Sequence, residues 1–137
     1  MTRLSTVDDC HVIELPRIGS TSGNITPVEG GVDVPFPIDR VYYLYDVPGG
    51  AVRGGHAHKE LQQLVVAPMG AFDIVLDDGT NRRTVRLDRA YVGLYLPSMI
   101  WRELVNFSSG GICMVLASHA YDEADYIRDY ESFRAAR

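Results

Sequence analysis

The sequence predicts an all-β sandwich or barrel that ends in a short C-terminal helix. Short β-branched and aromatic runs recur along the chain, and Gly, Pro or Asp-Gly turn signals close them at close spacing. A helical pattern appears only in the tail, residues 122–137. At 137 residues the chain is expected to form one domain spanning 1–137, long enough to build a core without a disulfide or metal staple.

The elements follow in order. Val12-Ile13-Glu14-Leu15 reads as a first strand ended by Pro16. Residues 19–37 are rich in Gly, Ser, Thr and Pro and read as a long loop with a short strand near Ile25. The segment from Arg40 to Val47 is aromatic and β-branched, a strong strand signal, and Pro48-Gly49-Gly50 turns it. Residues 52–58, 63–67 and 71–76 are the next extended stretches, with Pro68-Met69-Gly70 turning between the last two. Asp77-Asp78-Gly79-Thr80 is an Asp-Gly hairpin signal that returns through residues 84–87. Residues 91–96 and 111–117 complete the series. In the helical tail, Tyr126 and Tyr130 are four apart and are expected to share one face, packing the helix on the barrel.

Composition narrows the function classes. A net charge of −5 argues against nucleic acid or an anionic membrane as partner. It leaves room for a small anionic ligand, because all the basic residues but Lys59 are arginines, the better planar readers of phosphate. Arg82, Arg83, Arg86 and Arg89 cluster around the hairpin and read as solvated surface. The segment Met1 to Asp9 has no apolar core of a signal peptide, and no apolar run approaches membrane-spanning length, so the expected compartment is cytoplasmic. Cys10 and Cys113 stand far apart in no metal-type spacing, and Cys113 sits inside an apolar run as a core residue.

The chemistry concentrates in Arg53-Gly54-Gly55-His56-Ala57-His58-Lys59. Two histidines two residues apart on a strand project from the same face. Imidazole is suited both to proton transfer near neutral pH and to metal ligation. Gly50, His56, His58, Gln63 and Gly70 follow the spacing of the first motif of the cupin β-barrels, with Gln63 where a glutamate is usual. Pro97, Met99, Arg102 and Asn106 resemble the second motif in spacing, with Met99 replacing a glycine and Arg102 a histidine. A metal-binding cupin uses three histidines and a carboxylate. Here the carboxylate is a neutral amide and the last ligand a permanent cation, which cannot coordinate a metal and repels one by roughly 1–4 kcal/mol at ~4 Å. The expectation is therefore a cupin (jelly-roll) barrel with no metal and no other cofactor.

Beyond this frame the chain resembles the dTDP-4-oxo-6-deoxyglucose 3,4-ketoisomerases, small metal-independent cupins. The residues that carry the resemblance are the segments 40–48, 53–59, 93–103, 115–118 and 121–130, in one register from about Arg40 to Phe133. The resemblance implies a dTDP-4-oxo-6-deoxyhexose substrate, migration of its ketone from C4 to C3, and a homodimer with N-terminal strands crossing the interface.

That reaction needs a base for the C3 proton, acidified by the neighbouring ketone, then proton delivery to C4 of an enediol and transfer from O3 toward O4. His56 and His58 are the expected catalytic pair, with the individual roles open. Tyr42 is the third catalytic candidate, as ketone polariser or proton relay. Tyr43 and Tyr95 are substrate-binding candidates, although strand alternation lets only one of Tyr42 and Tyr43 enter the barrel. Arg53 and Arg102 are candidates for the pyrophosphate or a developing oxyanion. Trp101 is expected to wall the sugar or thymine, and Gln63 to bond a sugar hydroxyl or hold a histidine tautomer. The competing readings are a sugar-nucleotide 3,5-epimerase, a cupin that binds a small molecule without catalysis, and a metal-dependent cupin with unusual ligands.

Overall fold

A computed structural model describes residues 4–137; the first three residues of the N-terminal segment discussed above, and of the 1–137 domain, lie outside the described part. Among the described residues two five-stranded antiparallel sheets face each other. The first contains β1 (His11–Glu14), β4 (Arg40–Leu44), β6 (Gln63–Met69), β9 (Val92–Leu96) and β11 (Ile112–Ala117), in the order β1-β9-β6-β11-β4. The second contains β5 (Arg53–His58), β7 (Phe72–Asp77), β8 (Arg82–Leu87), β10 (Trp101–Val105) and β12 (Tyr126–Ile127), in the order β12-β5-β10-β7-β8. This is the all-β cupin barrel that the sequence predicts. A separate hairpin joins β2 (Ile18–Ser20) to β3 (Gly23–Ile25), a fuller form of the short strand expected near Ile25.

Alternation along the strands separates two cores. Val65, Ala67, Leu94, Leu96 and Val115 of the first sheet meet Phe72, Ile74, Leu76 and Leu104 of the second between the sheets. The intervening residues Leu64, Val66 and Leu116 point the other way, where Val34 and Phe36 from the long loop cover them. The first sheet is thus buried on both faces, which explains the near-continuous apolar run of β6.

Two expectations need correction. Residues 101–105 form a strand that the sequence reading left out of the series. Its centre, Arg102-Glu103, interrupts the apolar pattern, and only pairing with β5 and β7 makes it extended. The tail is not one helix. Asp122 accepts a hydrogen bond from the Ala124 N–H and starts a single 3₁₀ turn, Glu123–Asp125. Tyr126–Ile127 then runs as β12 beside β5, and Asp129 caps the helix α1 (Tyr130–Ala135) through the Ser132 N–H. Aspartate bonds nearby backbone more readily than it sits inside a helix, so each one starts a new element. Tyr130 does pack the helix on the barrel, against Trp101, but Tyr126 is carried to another place. Among the described residues no helix is long and apolar enough to cross a membrane.

Candidate active site

A cavity of about 560 Å³ opens between the sheets, within the range of small-ligand sites. Its walls include Tyr42 from β4, Gln63 from β6, Arg53 and His56 from β5, Arg102 from β10 and Tyr126 from β12.

The β5 wall depends on a bulge. Arg102 pairs with His56 and Leu104 with Arg53, so three steps on β5 oppose two on β10. The extra residue is accommodated at Gly54, whose φ of +74° suits glycine. Strict alternation would turn Arg53 and His56 to opposite faces; the bulge lets both line the cavity.

His56 and His58 project from one face as expected, their rings edge-on with centroids 4.8 Å apart. They are not equivalent. His56 lines the cavity, whereas His58 is fully buried behind it. The ring of Tyr126 contacts both, at 5.0 and 4.4 Å. His58 donates from Nδ1 to Asp125 Oδ2 at 3.0 Å. Burial and the Arg102 and Arg128 cations push His56 down to about 3. Burial and Arg102 push His58 down to about 2, with His56, Arg40 and Arg128 acting in the same direction. With both shifted downward, the two imidazoles are held in the neutral form at pH 7.

Arg102 is buried. It donates from Nη1 to Gln63 Oε1 and from Nε to the Ile100 carbonyl at 3.2 Å. Gln63 in turn donates from Nε2 to the Tyr42 hydroxyl at 3.1 Å. With that lone pair engaged, the Tyr42 hydroxyl is free to donate its own proton into the cavity. Burial pushes the Tyr42 phenol up, so it stays protonated. Nη2 of Arg102, Nε and Nη2 of Arg40, and Nε2 of both histidines are buried without a hydrogen-bond partner among the described residues. Unpaired buried polar atoms are uncommon in folded proteins, and their concentration around one cavity marks a ligand site.

His56, His58, Tyr42, Gln63, Arg53 and Arg102 therefore come together. Tyr43 borders the cavity rim, 59% exposed, with its ring against Tyr45 on the outer face. Two expected residues do not join them. Trp101 follows strand parity opposite to Arg102 and packs outside the sheet against Tyr130 and Phe133. Tyr95 lies between the inward Leu94 and Leu96, so it points outward to His11 and Phe36 and donates to Gln62 Oε1 at 2.6 Å. The sequence reading also missed residues. Arg40, Tyr121, Tyr126 and Arg128 line the cavity, and Asp125 holds His58. The segments 40–48 and 121–130, both part of the family resemblance, carry the available signal for them. Arg128 lies 4.2 Å over the Tyr126 ring, oriented by a two-point ion pair with Glu123 at 2.6 and 2.9 Å.

Among the described residues four guanidinium groups, those of Arg40, Arg53, Arg102 and Arg128, line this cavity of an acidic protein, and no carboxylate does. The field suits an anion such as a diphosphate. A metal does not suit it: among the described residues no group of three or more His, Cys, Asp and Glu side chains could hold one. Two imidazoles beside an amide and a guanidinium make a poor donor set.

Comparison with known proteins gives a consistent family. The model of the family described as FdtA: WxcM-like, C-terminal matches residues 8–137. A TDP-4-oxo-6-deoxy-alpha-D-glucose-3,4-oxoisomerase of Aneurinibacillus thermoaerophilus is 43% identical over 123 residues, covering 90% of this chain and 88% of that protein. A mutant of the 3,4-ketoisomerase QdtA from Thermoanaerobacterium thermosaccharolyticum, in complex with TDP-4-keto-6-deoxyglucose, superposes with a TM-score of 0.91 at 37% identity, covering 93% and 92% of the two chains. The WlaRB TDP-quinovose 3,4-ketoisomerase from Campylobacter jejuni gives 0.89 at 42% identity, covering 93% and 98%.

Proposed function

The chain belongs to the FdtA family, and on that premise we propose that it moves the keto group between C4 and C3 of a dTDP-linked 6-deoxyhexose, as an isomerase of deoxysugar biosynthesis. The observation that carries the mechanism is the neutral histidine pair at the wall of an arginine-lined cavity. His56 lines the cavity and is the group suited to remove the C3 proton; neutral at pH 7, it is ready to act as a base. Loss of that proton moves negative charge onto the C4 oxygen. Arg102 supplies a fixed cation and Tyr42 a hydroxyl donor suited to stabilise it. Protonation at C4 and transfer of the hydroxyl proton from O3 toward O4 complete the migration, with no net oxidation and no redox cofactor. Arg53, Arg40 and Arg128 are suited to the diphosphate, and Gln63 aligns Arg102 with Tyr42.

The protein acts in this reading as a cytoplasmic homodimer. The exposed Val41, Tyr43 and Tyr45 on and beside the edge strand β4, and Ile18 and Ile25 on the hairpin, support a partner surface. Two buried, unpaired thiols, Cys10 and Cys113, accord with a reducing compartment.

Proton NMR of dTDP-4-oxo-6-deoxyglucose with EDTA-treated protein in deuterated buffer tests the reaction. A 3-oxo sugar is the expected product, and its C4 configuration follows from the same spectrum. Deuterium exchange at C3 and C5 without carbonyl migration would establish an epimerase instead. Saturable binding without product would establish a binding module.

A further inference from the structure

We propose that Asp125 is a positioning residue that holds His58 as its Nδ1–H tautomer, leaving the Nε2 lone pair as a proton acceptor inside the cluster of His56 and Tyr126. This deepens the ketoisomerase reading and rests on it.

The geometry fixes the carboxylate from several sides. Asp125 Oδ1 accepts from the Glu60 N–H at 2.8 Å, and Oδ2 accepts from the Leu61 N–H at 3.4 Å as well as from His58 Nδ1 at 3.0 Å. Its own carbonyl accepts from the Lys59 N–H at 2.9 Å. The turn after β5 is thus bonded to the residue that precedes β12, and the side chain has little freedom to swing away from His58. A carboxylate accepts and does not donate, so Nδ1 of His58 must carry the hydrogen. In a neutral imidazole the other nitrogen is then a bare lone pair. That nitrogen, Nε2, is buried and has no partner among the described residues, so no protein group competes for it.

The consequence is functional. With the opposite tautomer, His58 would present a hydrogen at Nε2 and could not receive a proton there. Held by Asp125, it starts each turnover able to receive one. The imidazolium then formed has a carboxylate 3.0 Å from Nδ1. Asp125 acts through His58 and is not itself expected to meet the substrate; among the described residues it does not line the cavity.

Two measurements test this. The first needs no substrate: ¹⁵N NMR of the histidine side chains in the intact protein at pH 7. A protonated Nδ1 and bare Nε2 at His58 are expected; a protonated Nε2 would overturn the proposal. The second is Asp125→Asn. Its amide oxygen can keep the Glu60 bond while its NH₂ faces Nδ1 and gives up the long Leu61 bond, which forces the other tautomer and leaves the Glu60 and Lys59 ties to the turn in place. The expected result is the switched tautomer, with kcat down about ten- to hundredfold and KM within threefold. A variant with the switched tautomer and wild-type kcat would overturn the proposal. A wild-type protein inert toward dTDP-4-oxo-6-deoxyglucose would overturn the proposed reaction, and the ¹⁵N spectrum would still decide the tautomer.

Discussion

The neutral histidine pair should make folding stability depend on pH well above the carboxylate range. The reference imidazole titrates near 6.5, while His56 is pushed down to about 3 and His58 to about 2. Between pH 7 and 5 the unfolded chain therefore binds protons at these positions and the folded chain does not. Stability rises with pH wherever the unfolded state binds more protons, so acidification through this window destabilises the fold. Integrating the linkage from pH 7 to 5 gives about 2 kcal/mol per imidazole, and about 4 kcal/mol for the pair. Carboxylates held below their usual range, such as Asp73 and Asp129, lose their stabilising contribution mainly below about pH 4.5 and add little here. Urea unfolding of the wild type and of His56→Asn at pH 7, 6 and 5 isolates the effect, because His11 and His119 are common to both proteins. The wild type should lose about 4 kcal/mol and the variant about 2 kcal/mol. Parallel losses in the two proteins would refute the argument that the fold holds His56 neutral.

The same displacement should appear in catalysis: kcat/KM, which reports the free enzyme, should stay flat from pH 8 to 5, and a fall centred near 6.5 would show that His56 is an ordinary imidazole. Tyr95→Phe removes only a hydrogen bond to Gln62, so turnover should stay within twofold while stability falls by about 1 kcal/mol; a tenfold loss of kcat would return Tyr95 to the site. Gly54→Ala forces a side chain onto φ +74° at the bulge, at a cost of about 1–2 kcal/mol. By disturbing the alignment of Arg53 with His56 it should also raise KM several-fold; unchanged KM and unchanged melting would deny the bulge that role.

The limits of the sequence reading have physical causes. Period-2 alternation makes Tyr42 half-buried and Tyr43 exposed, although both border the cavity. The same rule would have separated Trp101 from Arg102, but a charged pair at the centre of β10 hides that strand. Tyr95 could not be excluded locally. Its direction is set by which face of the first sheet meets the second and which meets Val34 and Phe36, a contact made by a distant loop. Arg53 shows the opposite case, an odd spacing from His56 that alternation would reject and a glycine bulge restores. In the tail, an i,i+4 tyrosine pair imitates a helix, while Asp122 and Asp129 cut the segment into capped pieces. That division brings Asp125 and Tyr126 to the histidines.

The two departures from the metal-binding cupin pattern are best understood together. A carboxylate at position 63 would have met Arg102 as a salt bridge and offset its charge. Gln63 instead accepts one guanidinium hydrogen bond and passes the alignment to Tyr42 without neutralising anything. Arg102 stays buried with no ion-pair partner within 4 Å among the described residues, and its field falls on His56 and His58, adding to burial in keeping both unprotonated. In the proposed reaction these two departures together supply what deprotonation beside a ketone requires, an unprotonated imidazole and a fixed positive charge lining the same cavity. Neither substitution alone provides both. Arg102 opposite a glutamate would have its charge offset by the pair, and Gln63 opposite a histidine would leave only the Arg40, Arg53 and Arg128 guanidiniums lining the cavity.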